Sequence, residues 1–337
     1  MNISRIIYLS SLSLLMLTLT ACSKENSNTQ TIDTPAIETE NISAPSDDKA
    51  NEEILFPVRK DGQWGYINKN GELVVKPQFN RAFTFSNGLG RVGIFGKGLG
   101  FINSKGEFVI KPHFDEASDF SEGLAAAKES YNGKAGYINK AGQYVIKPHF
   151  DSANAFSTDI EGLAIVQMGK KYLCIDKTGK IVKRERQYKR FAEGLIPNHI
   201  LPMNKFGYSD KEGRIIIEPR FDDATYFCSQ SGLARVVMNG KYGYIDKAGN
   251  YVIKPQFDYA EDCFTEGMSV VNIGGKWTGN HFDGKGKRGY VDSNGKIAIE
   301  PKFDRAESFN HGLALIEIDG KIGYIDKTGK YIWEPTK

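Results

Sequence analysis

At 337 residues, 40% of them hydrophobic, the chain is long enough for two ordinary domains, and its formal net charge of +3 excludes the dense basic stripe that nucleic-acid binding requires. Only four cysteines are present and none forms a CxxC pair, so neither a disulfide-built miniature nor a thioredoxin-like redox motif is encoded.

The N-terminus carries one positive charge, Arg5, followed by an apolar run over residues 6–19 that is too short to span a bilayer and has the layout of a secretory signal. The run closes on Leu19, Thr20, Ala21 and Cys22. This tetrapeptide resembles the lipobox of bacterial lipoproteins, in which cleavage precedes a cysteine whose sulfur has received a diacylglycerol. The resemblance implies that 1–21 are a signal peptide and that Cys22 carries a lipid anchor; each buried methylene contributes about 0.8 kcal/mol, so more than one acyl chain holds stably. Serine at 23, by analogy with enteric lipoproteins, implies an outer-membrane address facing the periplasm or the surface where the source has such a membrane. Residues 23–53 contain Pro35, Pro45 and no aromatic residue, with two lysines against eight acids, and are expected to form a disordered tether that makes 22–53 a leash. The tether and the signal together leave 54–337 with a mild +8, compatible with anionic envelope polymers.

From residue 54 the chain repeats itself. Gly65, Gly100, Gly136, Leu173, Gly207, Gly243, Gly289 and Gly323 head eight copies of one unit, spaced 35, 36, 37, 34, 36, 46 and 34 residues apart. In GLARVVMNGKYGYIDKAGNYVIKP, over 232–255, three runs of β-formers are divided by two turns. Asn239 and Gly240 suit a type I′ hairpin, and Asp246 to Gly249 suit a type I turn ending on a residue with positive φ. Proline follows seven of the eight third runs, as at Pro148 and Pro255, with Glu185 in its place in unit four, and is expected to close the strand. The following PheAsp, as in Phe114 and Asp115, is expected to form a turn whose carboxylate caps backbone amides and whose aromatic neighbours pack on the next copy. The third run is apolar on both faces, as at Val252 and Ile253, so a single unit cannot bury its surface and neighbours must cover one another. The fold class is therefore all-β: a tandem array of eight three-stranded meanders, expected to be open and curved or superhelical, with a closed propeller-like toroid as the alternative. Unit four departs, with Leu173 and Cys174 in place of GlyTyr, and its charged run 183–190 is expected to form a solvated loop or irregular strand.

Trp64, Gly65, Tyr66, Ile67 and Asn68 match the core of the bacterial WG-repeat proteins, and the rest of 54–337 resembles their unit, although Leu99, Ala135, Phe206, Tyr242, Arg288 and Ile322 stand in place of the tryptophan. The substitutions suggest a partly buried position. The resemblance implies an all-β repeat architecture and, loosely, binding or scaffolding.

No nucleophile elbow, HExxH, P-loop or dinucleotide fingerprint appears, so the chain is expected not to be an enzyme and to need no cofactor. The aspartates at 115, 151, 222, 258 and 304 recur at one position, which fits a structural turn better than acid and base work in unlike environments. His113 and His149 share a slot filled elsewhere by Gln78, Arg220, Gln256 and Lys302, a polar ladder more than a metal site; no metal is expected. After Cys22, a bridge between Cys228 and Cys263 is conceivable in an oxidising compartment, but small buried hydrophobes are the preferred reading of these cysteines. The loop GGKWTGNHFDGKGKRG at 274–289 inserts about ten residues, and its Trp277, His281, Phe282, Asp283 and Arg288 form the candidate binding loop, suited to a sugar or peptide. The expected partners are the membrane, through Cys22, and an envelope protein or glycan.

Overall fold

The computed structural model describes residues 54–157, 162–182, 194–200, 203–276 and 284–336. The signal segment, Cys22, the tether and the charged run 183–190 lie outside them. Among the described residues there is no helix, and hence none long and apolar enough to cross a membrane. The chain is instead a succession of small antiparallel sheets over 56–79, 81–114, 116–150, 152–175, 196–221, 223–257, 259–303 and 305–336, each open and none closed into a barrel. Among the described residues the first, fourth and fifth have three strands and the others four.

The sixth sheet shows the local logic. Its long strands Ala234–Met238 and Lys241–Ile245 are joined at Asn239 and Gly240, both with positive φ as the type I′ turn demands. The next turn is an Asx turn: Asp246 Oδ1 accepts the N–H groups of Ala248 and Asn250. The closing strand is Tyr251–Phe257. It does not stop at Pro255 but runs two residues further, because a register shift between Tyr242 and Tyr244 places the proline at a bulge, where the ladder needs no N–H. Nor is this strand covered on both faces. Ile253 is 2% exposed and Val252 37%, and Val109, Val145 and Ile216 are exposed in the same way, so the second apolar residue answers to strand propensity at a sheet edge.

The segment after PheAsp also differs from a simple turn. In the sixth sheet Asp223–Ala224 is a two-residue leading strand paired with Val236 and Val237, and equivalent pairs open the second, third, fourth, seventh and eighth sheets. Each Phe thus ends one sheet as the next begins.

Contacts divide the chain into a first unit centred on Leu73–Gln187, with Gln63–Tyr66, and a second centred on Tyr188–Lys337, with Val58–Gly62 and Ile67–Glu72. In the first unit, Tyr137, Ile146 and Phe150 of the third sheet pack with Phe156, Ala164, Val166 and Ile175 of the fourth. In the second, Tyr208, Ile217 and Phe221 pack with Phe227, Ala234, Val236 and Ile245 of the sheet that follows. Each core is shared between consecutive sheets, and a large apolar side chain buried there contributes about 1.5–3 kcal/mol. Within the second unit Thr336 Oγ1 also donates to the carbonyl of Arg59, and Gly71 stands against Ile332.

Two cysteines expected to be plain hydrophobes are bridged: Cys228 and Cys263, with Cα atoms 5.5 Å apart, staple the loops of the sixth and seventh sheets. Phe264, beside Cys263, packs on Tyr244 at 4.8 Å. Cys174 is buried beside Ile165.

Candidate functional site

The recurring polar residues meet at the joints between sheets. Asp151, at the end of the third sheet, accepts from Lys134 Nζ of that sheet on Oδ1 and from the Gly169 N–H, in the hairpin of the fourth, on Oδ2. Asp222 does the same with Lys205 and Asn239, Asp258 with Lys241 and Gly274, and Asp304 with Lys287 and Asp319. One carboxylate therefore fastens the hairpins of two successive sheets. The lysine hydrogen bond, followed by the backbone N–H, holds Asp151 and Asp304 below the usual carboxylate range, and the Lys205 bond does so for Asp222 against its burial. The tyrosine of GYI supplies a second link. Tyr137 donates to Asn154 O at 2.8 Å, and Tyr66, Tyr208, Tyr244 and Tyr290 donate to Phe83, Thr225, Glu261 and Glu307, seventeen residues on and in the next sheet. These acids and phenols are committed to architecture.

The hairpin tips above the joints are different. In the first unit Asn80 Oδ1 holds the Phe95 N–H at 2.7 Å and Asp115 Oδ2 the Tyr131 N–H at 2.8 Å, so the backbone of each tip is fixed. Their side chains face solvent, Phe95 89% and Tyr131 75% exposed. In the second unit the 274–286 insertion occupies the same hairpin position. Asp258 holds Gly274, and the buried Asn272 accepts from the Gly275 N–H on Oδ1 at 3.2 Å and donates Nδ2 to Lys285 O at 3.1 Å, tying both ends of the loop.

A third arrangement lies on the leading strands. Arg91 of the second sheet reaches the third, where its Nε meets Asp119 Oδ1 at 2.8 Å and its Nη1 the Ala117 carbonyl at 2.7 Å, with the guanidinium over Phe83. Arg235 repeats this between the sixth and seventh sheets, on Asp262 at 3.1 Å and Ala260 O at 3.2 Å, beside Asp223 and over Tyr242. Near it Glu261 is pushed above the usual carboxylate range by burial, although the Tyr259 hydroxyl bonded to it opposes this. Between the third and fourth sheets the same position is Ala126, and an open cavity of about 280 Å³ remains, lined by Glu116, Ser118, Lys128, Asn154 and a group of alanines.

The sequence profile of the WG containing repeat matches six times, over 64–97, 100–134, 136–172, 206–242, 242–277 and 289–321, more than half of the chain. The chain belongs to the WG containing repeat family. No curated protein matches this WG-repeat chain. Among solved structures it is similar to a eukaryotic initiation factor, with 12% identity, 85% of this chain and 96% of that one covered and a TM-score of 0.47. It is also similar to BamB from Moraxella catarrhalis, with 10% identity, 87% and 93% covered and a TM-score of 0.38, and to the computationally designed Ika8 protein, with 11% identity, 83% and 89% covered and a TM-score of 0.40.

Of the candidate loop residues in this WG-repeat chain, Trp277, His281, Phe282 and Asp283 lie outside the described residues. Arg288 is half-buried on Lys287–Asp292, with Nη1 donating to Ala306 O at 3.4 Å and the guanidinium 5.9 Å from the Tyr259 ring centroid, so it is built into the sheet. The WG position is mixed: Leu99, Ala135 and Tyr242 are buried, while Trp64, Phe206, Arg288 and Ile322 are half-buried. His113 and His149 each turn Nδ1 to a carbonyl two residues back, Lys111 at 2.7 Å and Lys147 at 2.6 Å, and lie on Phe114 and Phe150. Among the described residues no three His, Cys, Asp or Glu side chains are grouped to hold a metal ion. Sequence reasoning missed Phe95, Tyr131 and the Arg91 position. The first two were legible as aromatics inside turn segments.

Proposed function

We propose that this WG-repeat chain is a lipid-anchored binding module of the cell envelope, held at Cys22 and recruiting another macromolecule, without catalysis, through its hairpin tips. The observation that carries the reading is the pair of exposed aromatics, Phe95 and Tyr131, on tips whose backbone is fixed from below. Large rings on a pre-fixed backbone lose little freedom on contact and favour binding. The Cys228 to Cys263 bridge supports export, since such bonds persist in oxidising compartments. Affinity capture from solubilised envelope with the tagged full chain is the test. A partner is expected that Phe95→Ala with Tyr131→Ala releases; no partner above background, or capture indifferent to the double substitution, rejects the reading.

A second reading, a carbohydrate or peptidoglycan binder, draws on the same exposed rings, which offer flat faces to a sugar. It requires the chain to sediment with purified sacculi and Phe95→Ala with Tyr131→Ala, as well as Trp277→Ala in the candidate loop, to weaken that sedimentation.

A further inference from the structure

The cavity between the third and fourth sheets stands where an arginine lies at two other joints. The groups that bond to, pair with or stack on the guanidinium groups of Arg91 and Arg235 have their counterparts on the cavity wall. Ala153 stands for the carbonyl acceptors Ala117 and Ala260, Ala155 for Asp119 and Asp262, Glu116 for Asp223, Ser118 for Phe83 and Ala135 for Tyr242. The correspondence follows from the register, since Glu116 pairs with Lys128 and Ala117 with Ala127 just as Asp223 pairs with Val237 and Ala224 with Val236. Alanine thus replaces the arginine, its aspartate and the ring beside it at one joint. At other joints the position holds the buried Ile165 and Val270, and in the fifth sheet the half-buried Pro197. The small residues together leave an open hollow at a joint where Arg91 and Arg235 elsewhere place a guanidinium, which is room for a guest.

We propose that this cavity accepts the arginine side chain of a peptide or protein partner, with its guanidinium against the Ala153 carbonyl and the Glu116 carboxylate. The charges facing the space are Glu116 and Lys128, 3.5 Å apart, with Lys128 Nζ also on the Tyr131 carbonyl at 3.4 Å. Glu116 is thus already balanced across the strand pair while the cavity is open. A planar fork of donors matches a carbonyl beside a carboxylate, which a lysine ammonium does not. The site stands independently of the tips: failure of envelope capture would leave it untouched.

Calorimetric titration of the purified full chain with N-acetyl-arginine amide tests it, with the lysine and citrulline amides as controls. Saturable binding of the arginine amide is expected, about tenfold tighter than citrulline and weakened about tenfold by Glu116→Gln, as suits a hydrogen bond to a charged group. Ala126→Arg with Ala155→Asp, which refills the cavity from within, should abolish it. If that variant does not fold, Glu116→Gln decides alone. No saturable binding, equal binding of citrulline, indifference to Glu116→Gln, or binding that survives refilling would each overturn the proposal.

Discussion

Replacing Gly136 by alanine tests the close approach on which every complete sheet depends. The strand Ala135–Ile138 crosses the closing strand Tyr144–Phe150 so tightly that a Cβ on Gly136 would lie 2.4 Å from the Ile146 carbonyl oxygen and 2.8 Å from the Pro148 nitrogen. Both obstacles are backbone and cannot rotate aside. Restoring ordinary contact, which begins near 3.4 Å, moves the closing strand back by about 1 Å and carries its ladder bonds out of hydrogen-bonding range. Losing two or three bonds at about 1 kcal/mol each, with some loosening of Ile146 and Phe150, gives a destabilisation of about 2–4 kcal/mol. Urea denaturation followed by circular dichroism measures the cost, and hydrogen exchange of the 144–150 peptide locates it. An unchanged midpoint together with unchanged protection would refute the reasoning. The fourth sheet has Leu173 at this position, and among the described residues Ile175 there pairs with Ile181 as an isolated bridge.

Tyr208→Phe removes the hydroxyl bonded to Thr225 O at 2.8 Å, leaves that carbonyl short of a partner and should lower stability by about 1–3 kcal/mol; a denaturation midpoint equal to the parent's would contradict the joint role. Because the folded-state pKa values of Asp151, Asp222 and Asp304 are depressed, their contribution is present above the ordinary aspartate value of about 3.9 and lost as pH falls below it. Urea midpoints should hold from neutrality to about pH 4 and then drop, and Asp222→Asn should make the drop shallower. Burial raises Tyr66, Tyr137, Tyr208, Tyr244 and Tyr290, so their contribution is complete below the ordinary phenol value of about 10 and lost as pH rises past it. In an alkaline titration their tyrosinate absorbance should rise together with loss of the β signal, and a rise that precedes unfolding would argue against burial. Cys228→Ser with Cys263→Ser removes a bridge across 35 residues and should cost about 2–4 kcal/mol in denaturant; no difference from the oxidised parent would deny the staple a role.

Much of the fold was readable from local chemistry. Asn239 and Gly240 and the Asx turn at Asp246 rest on short-range rules that hold wherever the pattern recurs, whereas the amide that Asp151 caps lies eighteen residues on, in the next sheet. The leading strands escaped notice because a pair such as Asp223–Ala224 has no periodicity to detect, and it becomes a strand only by pairing with residues thirteen positions on. Pro255 misled for a related reason: alone it marks a strand end, and only the bulge opposite Tyr242 makes it tolerable within one. The contrast of Arg91 with Ala126 is printed in the sequence, yet its meaning required knowing that Asp119 and Ala155 stand across the joint.

The joints also bear on how such a chain matures. Asp304, Lys287 and Asp319 lie within some thirty residues of one another, so the entropy of closing each fastening is small and a polypeptide emerging from a ribosome or a pore can secure one layer while the next is still threading. The meetings of Thr336 with Arg59, 277 positions apart, and of Ile332 with Gly71 have no such short loop to close and must wait until residues far along the chain have arrived.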